Sequence, residues 1–101
     1  MKLTTKDRLT LLAVLPKEGA IIDMKILRDL KSELGLTEDE RKALNFRPSA
    51  LGGTDWDEIP DKDVNIGERG REIIKESFKQ LDKQGKVHED FLDTYDKFFN
   101  E

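Results

Sequence analysis

The chain has 101 residues, 36% of them hydrophobic and 40% charged, with a formal net charge of −4 and no cysteine. That length allows one domain with a modest core, and the lack of Cys excludes disulfides, thiolate nucleophiles and cysteine-bound metal. The acidity is concentrated: residues 1–34 sum to +2, residues 35–68 to −5 and residues 69–101 to −1, so the middle third opposes a phosphate backbone.

Thr4 is a candidate N-cap, with Asp7 three residues on where a capping-box acid belongs. Leu9, Leu11, Leu12 and Leu15 then form an apolar stripe that Pro16 and Gly19 end. The run from Leu9 to Leu15 is too short and too closely flanked by charge for a signal peptide or membrane span. The expectation is a soluble protein of the cytoplasm, with no membrane partner. Ala20-Ile21-Ile22 reads as a short extended piece and Asp23 as the cap of a second helix. Ile26, Leu27, Leu30 and Leu34 recur at three- and four-residue steps, the spacing of one buried face. Gly35 fits the left-handed position after a helix, with Leu36 folding back on Leu30.

Thr37 and Glu40 make a second capping box, opening a third helix of barely two turns. Leu44-Asn45-Phe46 before Pro48 reads as an edge strand, Gly52-Gly53 as a turn, and Thr54–Ile59 as the returning strand. Asp63–Ile66 is a further short strand. The longest helix starts near Gly67, with Ile74, Phe78 and Leu81 on one face, and Gly85 ends it. The last helix runs from His88 to about Asn100 with the stripe Phe91, Leu92, Tyr95, Phe98 and Phe99, and Val87 stapling to Leu92.

These elements predict a mainly α fold with a small β-hairpin, in the α+β class, as a single domain over 1–101. Residues 1–59 follow the element order of a winged-helix domain, and residues 60–101 add a C-terminal helical pair.

The candidate recognition helix carries Glu38, Asp39 and Glu40 in its first turn, the end that normally enters the major groove. Arg41, Lys42 and Arg47 offer partial compensation as DNA contacts. The same three acids suit the positive end of the helix dipole. In the run DWDEIPDKD, Asp55, Asp57, Glu58, Asp61 and Asp63 lack the EF-hand spacing, since Ile59 stands at the fifth position and no glycine at the sixth. The run reads either as a solvated loop or as an acidic patch for a basic partner. Trp56 within it is a candidate anchor, because Trp dominates interface energetics, or else a side chain packed on the core. His88 is the one histidine and reads as an exposed cap; with no second His or Cys, no transition-metal set forms. Gly67 and Gly70 with Arg69 and Arg71 at a helix start are a candidate anion site, though without phosphate-loop spacing. No serine lies in a nucleophile elbow. The aromatic last helix reads as core, or as a surface for a second copy.

The stretches KLTTKDRLTLLAVLPKEG, ILRDLKSELGLTEDE and IGERGREIIKESFKQLDKQGKV, together with Trp56 before an acidic run, resemble a group of small phage and prophage proteins of unassigned function. The Leu51-Gly52-Gly53 turn and His88 depart from that pattern. The resemblance implies a phage accessory role, which includes host takeover and countering host defence, and it assigns no active residue. Combined with the charge distribution, it predicts a non-enzymatic protein that binds a host or phage protein through Glu38, Asp39, Glu40, Asp55, Trp56, Asp57, Glu58, Asp61 and Asp63. A winged-helix DNA-binding regulator using Arg41, Lys42 and Arg47 is the alternative, and a nucleotide-type ligand at Arg69 and Arg71 the second. No cofactor or metal is expected, and a homodimer is compatible with the pattern.

Overall fold

The computed structural model describes residues 1–100. Strand β1 (Lys2–Leu3) leads into α1 (Thr5–Val14). The expected capping box forms: the Asp7 N–H donates to Thr4 Oγ1 at 3.1 Å, and the Thr4 N–H donates to the Asp7 carboxylate at 3.0 Å. Helix α2 (Ile21–Leu34) follows, then α3 (Glu38–Leu44). Strands β2 (Arg47–Pro48) and β3 (Thr54–Asp55) form a hairpin, β4 (Lys62–Asp63) comes next, and α4 (Glu68–Lys83) is the longest helix. A 3-10 turn at Glu89–Phe91 opens into α5 (Leu92–Phe99).

Helix α1 is the hub, packed against α2, α4 and α5. Leu11 and Leu15 meet Leu27, Leu30 and Leu34 of α2, and Ile74 and Phe78 of α4 close the same core with Phe98 of α5. Each such side chain contributes about 1.5–3 kcal/mol by leaving water. The core joins residues from both the 1–59 and the 60–101 parts. In the last helix, Tyr95 stacks on Phe99 at 4.3 Å between ring centroids, and both meet Phe78 edge-on. Leu92 stays outside the core, so the staple to Val87 is replaced by Phe91, which packs on it.

The expected class holds: the chain is mainly α with small antiparallel β elements. Helix–helix–helix–hairpin order is present, with two helices after it. The strand wiring differs from a winged helix. A winged helix would use a strand between the first two helices, but Ile21 and Ile22 form the first turn of α2, with Ala20 at its N-cap. Asp23 is therefore inside the helix and is not its cap. The strand lies instead before α1, where Lys2 pairs with Asp63 and Leu3 with Lys62. That pairing delivers Leu3 and Val64 to the core. The hairpin pairs only with itself, Arg47 opposite Asp55 and Pro48 opposite Thr54.

Three local readings also change. Gly35 has φ −62° and ψ 151°, not a left-handed conformation. The chain runs extended there because α3 starts within three residues, and Arg8 takes over the free carbonyls of the helix end. Leu44 is the last residue of α3 and not a strand. Asn45 turns the chain with φ 50°, a left-handed position that Asn tolerates better than most residues. The returning strand stops at Asp55, because the Asp57 N–H instead donates to the Leu44 carbonyl at 2.7 Å. The Gly52-Gly53 turn is as expected, with φ 91° and 80°, values that favour glycine.

Candidate partner-binding surface

Helix α3 is fixed at both ends. At its start Thr37 and Glu40 complete the capping box, with Glu40 N–H to Thr37 Oγ1 at 3.1 Å and Thr37 N–H to Glu40 Oε1 at 3.0 Å. Glu40 also accepts a two-pronged bond from Arg8, 2.6 Å from Nη1 to Oε2 and 3.1 Å from Nη2 to Oε1. The same guanidinium donates to the carbonyls of Leu34 at 3.0 Å and Gly35 at 2.6 Å. Arg8 is 1% exposed, so one buried cation ties α1 to the end of α2 and the start of α3. Its hydrogen bonds, aided by the Thr37 N–H, hold the Glu40 carboxyl at about 2 against an ordinary 4.5.

Beside Arg8, Asp7 is buried as well. It accepts from Thr94 Oγ1 at 2.7 Å and pairs with Lys97. Burial alone would raise its carboxyl; the bonds from Lys97, Thr94 and the Thr4 N–H outweigh that and hold it below the usual range.

Residues 36–61 hold seven acidic and three basic side chains. Their balance of −4 equals that of the whole chain, so the remainder of the molecule is neutral. The predicted acids in and beside this segment divide by what they touch. Glu40 is committed to Arg8, Asp57 to Arg47 at 3.0 Å, and Asp63 to the amino group of Met1 at 3.0 Å. Glu38, Asp39, Asp55, Glu58 and Asp61 carry no ion pair among the described residues and are exposed. Trp56 is half-buried, edge-on to Phe46 at 5.9 Å, and lines a cleft of about 290 Å³ with Glu58 and the start of α1. It is therefore part hairpin packing and part surface.

A second groove, of about 500 Å³, separates α3 from the 59–62 segment. Ala43, Ile59 and Pro60 make its apolar walls, with Asp39 and Asp61 beside them. Lys62, which also lines it, points its ammonium at the Glu33 carbonyl, 2.6 Å away. The acids are thus spread over two clefts and the hairpin, and do not converge on one point. Among the described residues, no three His, Asp or Glu side chains gather into a metal-binding group.

The other predicted sites are placed as follows. Arg41 and Lys42 are exposed on α3, next to its acidic first turn. Arg47 is occupied by Asp57 and the Asn45 carbonyl. Arg69 does not await an anion: it grips Asp23 through two bonds of 3.0 and 3.1 Å and reaches Glu72 at 3.0 Å. Those carboxylates push its pKa up. Arg71 lies over the Phe98 ring at 5.9 Å. His88 is a cap, its Nδ1 accepting from the Asp90 N–H at 3.1 Å.

Sequence reasoning missed the Arg8 clamp and the groove walls. An arginine on the first turn of an apolar helix was the available signal. Searches against known families, curated proteins and solved structures match nothing. No helix is long and apolar enough to cross a membrane among the described residues.

Proposed function

We propose that this is a non-catalytic phage accessory protein of the host-cell cytoplasm that binds a host or phage protein through its acidic face, with inhibition of host defence as the form such binding takes. The observation that carries this is the set of five exposed carboxylates with no ion pair among the described residues, Glu38, Asp39, Asp55, Glu58 and Asp61, on a segment that also carries the half-buried Trp56. Unpaired like charges carried on one short segment favour a cationic partner. Trp56 supplies the amphipathic ring that interfaces use. The proposal rests on charge and position together with the resemblance noted above.

The test begins with affinity capture from bacterial lysate and purification of whatever is retained. Binding of that partner is then measured with Glu38→Lys/Asp55→Lys and Trp56→Ala. Weakening of tenfold or more in either, and a steep loss with salt, supports the acidic face. Undiminished binding in both removes it. The winged-helix alternative meets an unfavourable charge at the start of α3; salt-sensitive retention on duplex DNA would restore it.

A further inference from the structure

We infer that the groove between α3 and the 59–62 segment receives an extended peptide of the partner in which an aliphatic side chain is flanked by lysine or arginine. This inference rests on the protein-binding reading above and names the chemistry that it selects.

The lining determines the occupant. Ala43, Ile59 and Pro60 give a trough that is mostly apolar, which an aliphatic side chain would dry. Asp39 and Asp61 stand beside it with no cation paired to them among the described residues. In the other grooves some lining acids are paired from within, whereas others, such as Glu18, Asp29 and Glu58, are not. Asp23 and Glu76, in the groove between α2 and α4, are both held by Arg69, at 3.0 and 3.8 Å. In the Trp56 cleft Asp7 pairs with Lys97, and Asp93 lies 3.6 Å from Lys6. In the α3 groove, Glu40 is bound by Arg8 and Lys62 turns to the Glu33 carbonyl, which leaves Asp39 and Asp61 to an outside cation. An anionic ligand or a nucleic acid would meet two uncompensated carboxylates there.

The walls are set before binding. The capping box and the Arg8 clamp hold α3, and the pairing of β4 with β1 holds the opposite side. A preformed groove spares the partner the cost of ordering it.

The experiment is an amide NMR titration of the intact chain with two synthetic peptides of equal charge, one alternating lysine with leucine and one alternating lysine with serine. The lysine–leucine peptide is expected to shift residues 37–43 and 59–62 and to bind at least tenfold tighter. Its affinity should fall at least tenfold in Asp39→Asn/Asp61→Asn. Ala43→Arg, at an exposed position, should fill the groove and abolish the shifts. Equal binding of both peptides, or shifts confined to residues 54–58, overturns the groove while leaving the acidic-face reading standing. Binding of neither peptide also overturns it, and the Glu38→Lys/Asp55→Lys capture measurement then decides the broader reading by itself.

Discussion

Arg8 is the residue on which most other placements depend. It is a buried cation with four acceptors, and removing it strands the Glu40 carboxylate and two helix-end carbonyls. Breaking a buried pair from one side costs about 3–5 kcal/mol. Glu40 is part-exposed and keeps the Thr37 N–H, so Arg8→Met is expected to lower the unfolding free energy by up to that amount, read as a fall in urea midpoint at unchanged slope. Arg8→Lys should recover only part, because an ammonium lacks the planar fork that reaches carboxylate and carbonyls together. Glu40 makes the pH dependence predictable. Its folded pKa of about 2 lies below the ordinary 4.5, so the unfolded chain binds the proton more readily. The stabilisation is fully present above pH 4.5 and is lost as pH falls toward 2. Asp7, also lowered, acts in the same direction. Acid unfolding followed by circular dichroism should show a weaker slope across that window in Glu40→Gln than in the parent. Both capping boxes were legible in the sequence because a cap is a local device of four residues. The Arg8 clamp was not, since its partner is 32 positions away and a charged residue near a helix start is ordinarily solvated.

Among the elements, α3 and the hairpin show how local signals succeed and fail. Thr37 satisfies the Glu40 N–H that would otherwise lack a partner at the helix start. Thr37→Ala should cost about 1 kcal/mol, read as a fall in thermal midpoint without loss of overall helicity. The glycine pair of the hairpin was readable because left-handed backbone has few other sources. Gly35 misled because the same residue also serves an extended joint when another helix begins at once. Ile21 and Ile22 misled for another reason. Two β-branched residues suggest a strand, yet both are helical here and remain 77% and 71% exposed. Their side chains have no role in the core. The strand-like composition was therefore overridden by the chain direction, which must carry Met24 and Leu27 onto α1 and α4.

The molecule as a whole has one hydrophobic core, with residues 36–61 lying outside it. That core joins α1, α2, α4 and α5, with Leu3 and Val64 from the β1–β4 pair. Leu44 is fully buried but stands apart from that core, and α3 shares no packed interface with another helix among the described residues. Residues 36–61 therefore sit on the body through Arg8 and the ends of the segment, while the Asp57–Leu44 backbone bond ties α3 to the hairpin within it. Two truncations should separate the core from that segment in hydrogen exchange. Ile74→Ala should destabilise the whole chain by about 2–5 kcal/mol and raise exchange throughout. Leu44→Ala should raise it within residues 36–61 while α1 and α4 stay protected. The fold class was legible because apolar periodicity marks α2, α4 and α5 directly. The binding surface was legible only as a charge total. Which acids are free depends on long-range pairs such as Asp63 with the Met1 amino group and Asp57 with Arg47, and spacing alone does not reveal them.

The Arg8 clamp also constrains how the chain can vary over generations. Positions 8 and 40 behave as one heritable unit, since a change at either alone leaves a charge or a donor set without its counterpart. In a library randomised at both positions and selected for folded protein, survivors should be enriched in joint replacements by neutral pairs and depleted in single ones. The exposed acids should drift freely under that selection and become fixed only when binding is selected as well.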